Sequence, residues 1–561
     1  MANWENEVKK LLQAGQSSVI ILHGNVRDFY PSGEKFVSLR DYVFQKVLPE
    51  REYKLFYDPQ AGIQFADPRH REAFFQSLQG YDAYHKTNYA QNPPKQPGPA
   101  FSLIENISKL KIMDKVSVVG VINYLEQIIP MANVGQVSNE VRYLLVSIDK
   151  WAQNPTFVDN NVTFFLVVEN LAKIDEMITR NPFIPKVYIP HPDEEARKSF
   201  SNRLLTKHAL TTELQADAIG KLTAGLSLVQ LSRLFAYLKA NEIKLDLQAL
   251  KDLKKRFIES ECQGLLEFIE PKFKLTNVAG HVTAKAMLSD TARAVGEGKT
   301  QFLPMGYLVC GPVGTGKTFL VTCFAGEVGI PVVKFLNFRS QWQGQTEANL
   351  EKIINLLKAV NPVVVVIDEA DAFLGDRNMQ GDSGTSSRVF ASLAAFMGDT
   401  TYRGKIIWFL MTSRPDLLPI DMKRQGRAEE HIALFHAQND EEEQALFKAL
   451  AGKNKIGTDK LSFAKAHQKD RTYSGADIEA ILVRAALKSQ LKNEEALTQA
   501  TLNEVAENFI SPNYGLETEL QILVSIRECT NKELIPKEYR DKDMSAISAR
   551  INELLALLRE N

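Results

Sequence analysis

Continuous apolar runs of strand length alternate with helical periodicity over residues 275–433. Residues 305–310, 363–367 and 406–411 are the clearest of these runs. Strands that are apolar at every position suit a parallel sheet buried on both faces. Residues 319–328 between them read as a helix. From 439 to 511 the pattern is helical almost throughout, so a small helical domain is expected to follow an α/β domain. Near the end of the chain, residues 544–558 repeat apolar positions at helical spacing and predict a helix that packs locally.

The first half repeats this pattern. Residues 19–25 (VIILHGN) resemble 307–312, residues 118–122 resemble 363–367, and 164–168 occupy the place of 406–411. Pro192-Asp193-Glu194-Glu195 parallels Asn439-Asp440-Glu441-Glu442, and Ala224 to Leu228 parallels Ser474 to Ile478. The spacing agrees as well: 70 residues from Asn123 to Asp193 against 72 from Asp368 to Asp440. Such self-similarity predicts two copies of one α/β-plus-helical module. A Pro- and Gln-rich surface loop at 88–99 is inserted in the first copy. The link between copies is expected at about 259–274.

Composition narrows the class. The chain has 561 residues, 44% hydrophobic and 24% charged, with a formal charge of −1. No global basic field draws it to nucleic acid or to an anionic membrane, and no apolar run reaches the length of a membrane span. The four cysteines, Cys262, Cys310, Cys323 and Cys529, lack metal-ligand spacing and predict reduced thiols in a cytoplasmic protein.

The chemistry is concentrated in the second copy. Gly311-Pro312-Val313-Gly314-Thr315-Gly316-Lys317-Thr318 fits G-x-x-x-x-G-K-[ST] at each required position. Its glycines let backbone N–H groups turn inward around a polyphosphate. Lys317 can reach the β- and γ-phosphates, and Thr318 can place a hydroxyl on Mg²⁺. The helix opening with Phe319 would aim its N-terminus at the phosphates. Asp368 and Glu369 close the apolar run 363–367. Strand alternation would point them in different directions, Asp368 to hold Mg²⁺ through its water shell and Glu369 to orient the attacking water. In the first copy Tyr30 stands at the place of Lys317, and Asn123 and Tyr124 stand at those of the two acids. That copy is expected to be inactive.

With these motifs, residues 275–511 resemble the AAA clade of AAA+ ATPases, and the upstream module resembles a degenerate AAA domain in tandem with it. The segment GDSGTSSRVF at 381–390 is similar to wording in tandem-type prokaryotic and plastid AAA proteins. The resemblance implies an α/β fold of two P-loop NTPase-type modules, each a parallel-sheet α/β domain followed by a small helical lid. The implied boundaries are 1–195 and 196–260 for the first module, 261–436 and 437–512 for the second, and 513–561 for a helical tail. It also implies ATP and Mg²⁺ as cofactors and a homo-oligomer, a hexamer in the family.

Site roles follow from the same resemblance. Val278, Ala279 and Gly280 match the segment that contacts adenine. Ser413 stands at the sensor position, where the family carries Asn and this chain a shorter donor. Arg424 and Arg427 match the arginine-finger segment that reaches a neighbouring subunit's nucleotide. Gly475 and Ala476 lie in the second-sensor segment, in a form without arginine. Trp342, Gln343 and Gly344 fall where the family has its central-pore loop, and a flat aromatic there can grip an extended polypeptide. The expected function is a ring motor that remodels, unfolds or disassembles protein clients. A nucleotide-gated scaffold that binds ATP and hydrolyses it slowly is the alternative: Ser413 leaves room for it, and Glu369 and the paired arginines argue against it. A nucleic-acid-directed motor predicts basic pore elements and excess positive charge, and neither occurs.

Overall fold

Valine- and isoleucine-rich runs build two sheets of one design. The first holds β1 (Val19–Gly24), β2 (Tyr53–Asp58), β3 (Gly62–Phe65), β4 (Val118–Ile122), β5 (Val162–Val168) and β6 (Lys186–Ile189), in the order β3-β2-β4-β5-β1-β6. The second holds β7 (Leu266–Ile269), β8 (Gly306–Cys310), β9 (Val332–Phe335), β10 (Val363–Ile367), β11 (Ile406–Thr412) and β12 (Glu430–Ala433), in the order β7-β9-β10-β11-β8-β12. The five parallel strands follow one order, β2-β4-β5-β1-β6 against β9-β10-β11-β8-β12, whereas the edge strand differs in origin: β3 follows β2 in the chain and β7 precedes the other strands of its sheet. Each sheet is parallel except for one antiparallel edge, β3 on β2 and β7 on β9. The computed structural model that shows this describes residues 3–560 apart from 16, 34, 132–136, 262–264, 270, 337–345, 375–384, 459–460, 465, 467–472 and 511–514. The chain divides into two compact units, residues 1–258 with 347–359 and residues 259–346 with 360–561.

The expected fold class is the observed one. β10 and β11 are buried at every position, as strands covered on both faces must be. Stiff β-branched side chains fill such a pleated surface well. The segment expected as a bare link carries β7, which closes the edge of the second sheet. Its four residues are too few to show a period.

Helical subdomains follow each sheet. α1 (Glu194–His208) is capped by Asp193, α2 (Leu228–Ala240) opens on a Ser227–Gln230 capping box, and α3 (Lys317–Val328) follows β8. In the second unit α4 (Asp440–Lys453) is capped by Asn439, and α5 (Gly475–Leu491) opens on a Ser474–Asp477 capping box. These boxes, in which a side chain takes the third backbone N–H, set the repeat's register. Ser227 matches Ser474, three residues away from the pairing suggested by the shared small-residue runs. α6 (Gly515–Glu528) and α7 (Met544–Glu560) pack on one another, with α6 also against β12.

Candidate nucleotide-binding site

β8 delivers the chain into the glycine loop, and α3 begins at Lys317 with Gly316 as its N-cap. The Lys317 ammonium folds back across the loop, its Nζ donating to Gly311 O at 2.8 Å and Pro312 O at 2.9 Å. Removal from solvent pulls its pKa down to about 8. A desolvated cation whose hydrogen bonds, among the described residues, go to neutral carbonyls is poised for an anion. At the loop tip, Val313 N–H donates to Gln521 Oε1 of α6 at 3.1 Å. Gly314 adopts φ +82°, and a Cβ there would lie 2.7 Å from Ser474 Cβ. That close approach lets Gly475 N–H donate to Gly314 O at 3.1 Å, so the first residue of α5 rests on the phosphate loop.

β10 brings the acids alongside. Asp368 Oδ2 lies 3.4 Å from Thr318 Oγ1, and Lys334 Nζ reaches the same oxygen at 2.9 Å. β10 ends at Ile367, so strand alternation does not extend to the two acids. Glu369 instead takes a left-handed backbone, φ 47°, with its side chain exposed. β11 pairs Thr412 with Cys310 of β8, and Ser413 follows directly. Thr412 Oγ1 donates to Asp371 Oδ1 at 2.6 Å, bracing β11 against the helix that follows Glu369.

The two arginines differ. Lys423 Nζ is fastened to Glu528 at 2.7 Å and Pro415 O at 2.9 Å. Next to that anchor, Arg424 is 57% exposed and meets the Asp421 carboxylate at 3.6 Å. Arg427 turns back and donates to Asp421 O. Thus Arg424 projects, while Arg427 is engaged within its own chain.

A cavity of about 290 Å³ opens beside the loop, lined by residues 278–280, 314–316, Phe319, Gly475 and Ala476. The structure therefore gathers the expected base- and lid-contacting residues in one place. Glu369, Ser413, Arg424 and Arg427 are not among its walls, and Trp342, Gln343 and Gly344 lie outside the described residues. Two histidines went unanticipated. His281 Nε2 contacts Thr315 O at 3.0 Å, and the buried Nδ1 of His436 has no partner among the described residues. Burial lowers the pKa of both and favours neutral imidazoles. Lys334 also went unanticipated, although it is the one charged residue of β9.

The first module keeps the backbone and replaces the chemistry. Gly24 has φ +99°, and Tyr124 repeats the left-handed turn of Glu369 at φ 58°. Tyr30 donates to Asn25 O and packs with Trp4 and Tyr42. Asp28, 5% exposed, accepts the N–H groups of Leu228 at 3.0 Å and Val229 at 2.9 Å and Asn25 Nδ2 at 2.8 Å. An internal carboxylate thus sits at the N-terminus of α2, where the helix dipole favours negative charge. Arg27 is bound by Glu126 and Glu169, each at 2.8 Å.

A glycine loop opening a helix, a desolvated lysine, and a hydroxyl beside a strand-end carboxylate together define a P-loop nucleoside-triphosphate site in the second module. One carboxylate and one hydroxyl also suit Mg²⁺, which completes its shell with phosphate oxygens and water. Residues 307–435 match the model of the ATPase family associated with various cellular activities (AAA). Residues 1–190 match the AAA+ chaperone N-terminal Rossmann-like domain, and 195–263 the AAA+ chaperone second helical domain. The chain belongs to the AAA ATPases, with a degenerate module ahead of the one that carries the motifs.

Relatives agree. An uncharacterized AAA domain-containing protein, ycf46, of Trieres chinensis is 27% identical over 293 residues, covering 50% of this chain and 58% of the relative. The cell division cycle protein 48 homolog of Archaeoglobus fulgidus is 25% identical over 350 residues, 56% of this chain and 48% of the relative. The peroxisomal ATPase PEX6 of Penicillium chrysogenum is 30% identical over 201 residues, 35% of this chain and 14% of the relative. The chain spans about half the length of the first two.

Proposed function

We propose that the chain is an ATP-hydrolysing motor that assembles into a ring, six-membered by family resemblance, and remodels protein clients. The observation that carries the reading is the convergence of Lys317, Thr318 and Asp368 at one end of the second sheet, with Arg424 projecting from an anchored segment. Lys317 would bind the β- and γ-phosphates. Thr318 and Asp368 would hold Mg²⁺, which neutralises phosphate charge when bound, and Glu369 would orient the attacking water. Val278, Ala279, Gly280, Gly475 and Ala476 would enclose the base side, and Ser413 would sense the γ-phosphate end. Arg424 would complete the site of a neighbouring subunit. Among the described residues no helix is long and apolar enough to cross a membrane. Free thiols at Cys310, Cys323 and Cys529 suit a cytoplasmic setting.

Protein remodelling rests on Trp342 at the pore position and on the chaperone description matched by residues 1–263. Trp342→Ala is expected to leave basal ATP turnover largely unchanged while client unfolding stops. Equal client unfolding by the variant, measured on a fluorescent reporter, removes the threading mechanism. Ser413, shorter than the family's Asn, favours a second reading as a slow scaffold, which predicts basal turnover that no client accelerates.

The first module then acts as a nucleotide-independent scaffold, its lid held by Asp28. Asp28→Ala leaves one buried and one part-buried N–H group unpaired, at a cost of about 1–3 kcal/mol. Hydrogen exchange at 228–231 is expected to speed up by at least about five-fold, whether or not ATP is present. Unchanged protection there would show that Asp28 does not hold the lid.

A further inference from the structure

Lys334 is the only charged side chain in β9, between buried Val333 and buried Phe335. Register places it beside Val366, two residues before the end-of-strand aspartate. From there its Nζ reaches Asp368 Oδ2 at 2.9 Å, the same oxygen that faces Thr318 Oγ1 at 3.4 Å. Both partners are about one-quarter exposed, at 27% and 26%. The other carboxylate oxygen, Oδ1, accepts the N–H of Glu369 at 3.1 Å. Asp368 is therefore bonded at both oxygens, and a cation from its own chain already neutralises the oxygen turned toward Thr318.

Mg²⁺ dehydrates reluctantly and is usually held by one or two carboxylates together with substrate phosphates. A site offering one hydroxyl and one already paired carboxylate gives the bare ion little reason to shed water. A polyphosphate changes the balance, because it brings anionic ligands for the metal and a new partner for the displaced ammonium. We infer that Lys334 is a positioning residue that keeps Asp368 oriented before loading and makes metal uptake depend on the nucleotide. The inference rests on the nucleotide-site reading and adds an order of loading to it.

The test uses the full chain, a fluorescent ATP analogue at fixed concentration, and a Mg²⁺ titration. Lys334→Met frees Asp368, so half-saturating Mg²⁺ is expected to fall about five-fold, equivalent to about 1 kcal/mol. Lys334→Arg keeps the charge and should stay within about two-fold of the parent. Lys334→Gln, a polar neutral replacement, is read in parallel and should shift as Lys334→Met does. A thermal-shift titration with Mg²⁺ alone should show a response in the neutral variants and none in the parent. Intact analogue binding with unchanged or raised half-saturating Mg²⁺ in both neutral variants overturns the role of Lys334. Failure of the parent itself to bind the analogue overturns the nucleotide reading instead.

Discussion

Arg424→Ala should lower ATP turnover by about 10³-fold or more while leaving nucleotide affinity nearly unchanged, because an arginine finger acts on transition-state charge. The side chain is 57% exposed, and its ion pair with Asp421, at 3.6 Å, is of the surface kind worth about 0–1 kcal/mol. Its loss therefore should not unfold the chain. The segment also keeps its anchor, since Lys423 remains bound to Glu528 and Pro415. Arg427 makes a useful contrast: it is tied to the Asp421 carbonyl, so Arg427→Ala is expected to loosen the turn as well as slow turnover. Mixing Arg424→Ala with Lys317→Ala decides where the arginine acts. An intact loop from one variant beside an intact arginine from the other restores a fraction of the sites. A mixture that assembles yet stays inactive excludes action across the interface.

Much of this site could be read from local sequence. Gly311 to Thr318 is a contiguous motif, and the two acids directly follow an apolar run. The near-equal spacings of 70 and 72 residues exposed the duplication, and the shared order of the five parallel strands agrees with it. What escaped depends on pairs distant in the chain. Lys334 meets Asp368 across 34 residues, and Asp28 meets Leu228 across 200. No spacing rule links such residues before the sheet brings them together. The lid register escaped for another reason: Ala-Gly-Leu-Ser and Ser-Gly-Ala-Asp look alike, but only the serine's bond to a backbone N–H marks the helix start. Asp28 carries the broader lesson. Loss of Lys, Asp and Glu from the first module was plain in its sequence, whereas the carboxylate that takes over at the lid was not.

Glu369→Gln should reduce turnover by about 10²–10⁴-fold, the range for removing a positioned general base, and should hold ATP in the assembled ring. The substitution is close to isosteric, and Gln meets the same left-handed backbone at φ 47° that Glu does, so it adds no new strain. The exposed position predicts a stability change within about 0.5 kcal/mol. Asp368 keeps its contacts with Lys334 and Thr318, so nucleotide and metal binding should survive. Unchanged turnover would take Glu369 out of the mechanism. The residual rate is informative too. The first module has Tyr124 at the equivalent turn and Tyr30 in place of the lysine, so it cannot mask the loss. A single substitution should therefore bring the whole chain close to background. On the proposed mechanism client release needs the step that has been stopped, so the ATP-held form is the one in which to capture clients for mass spectrometry.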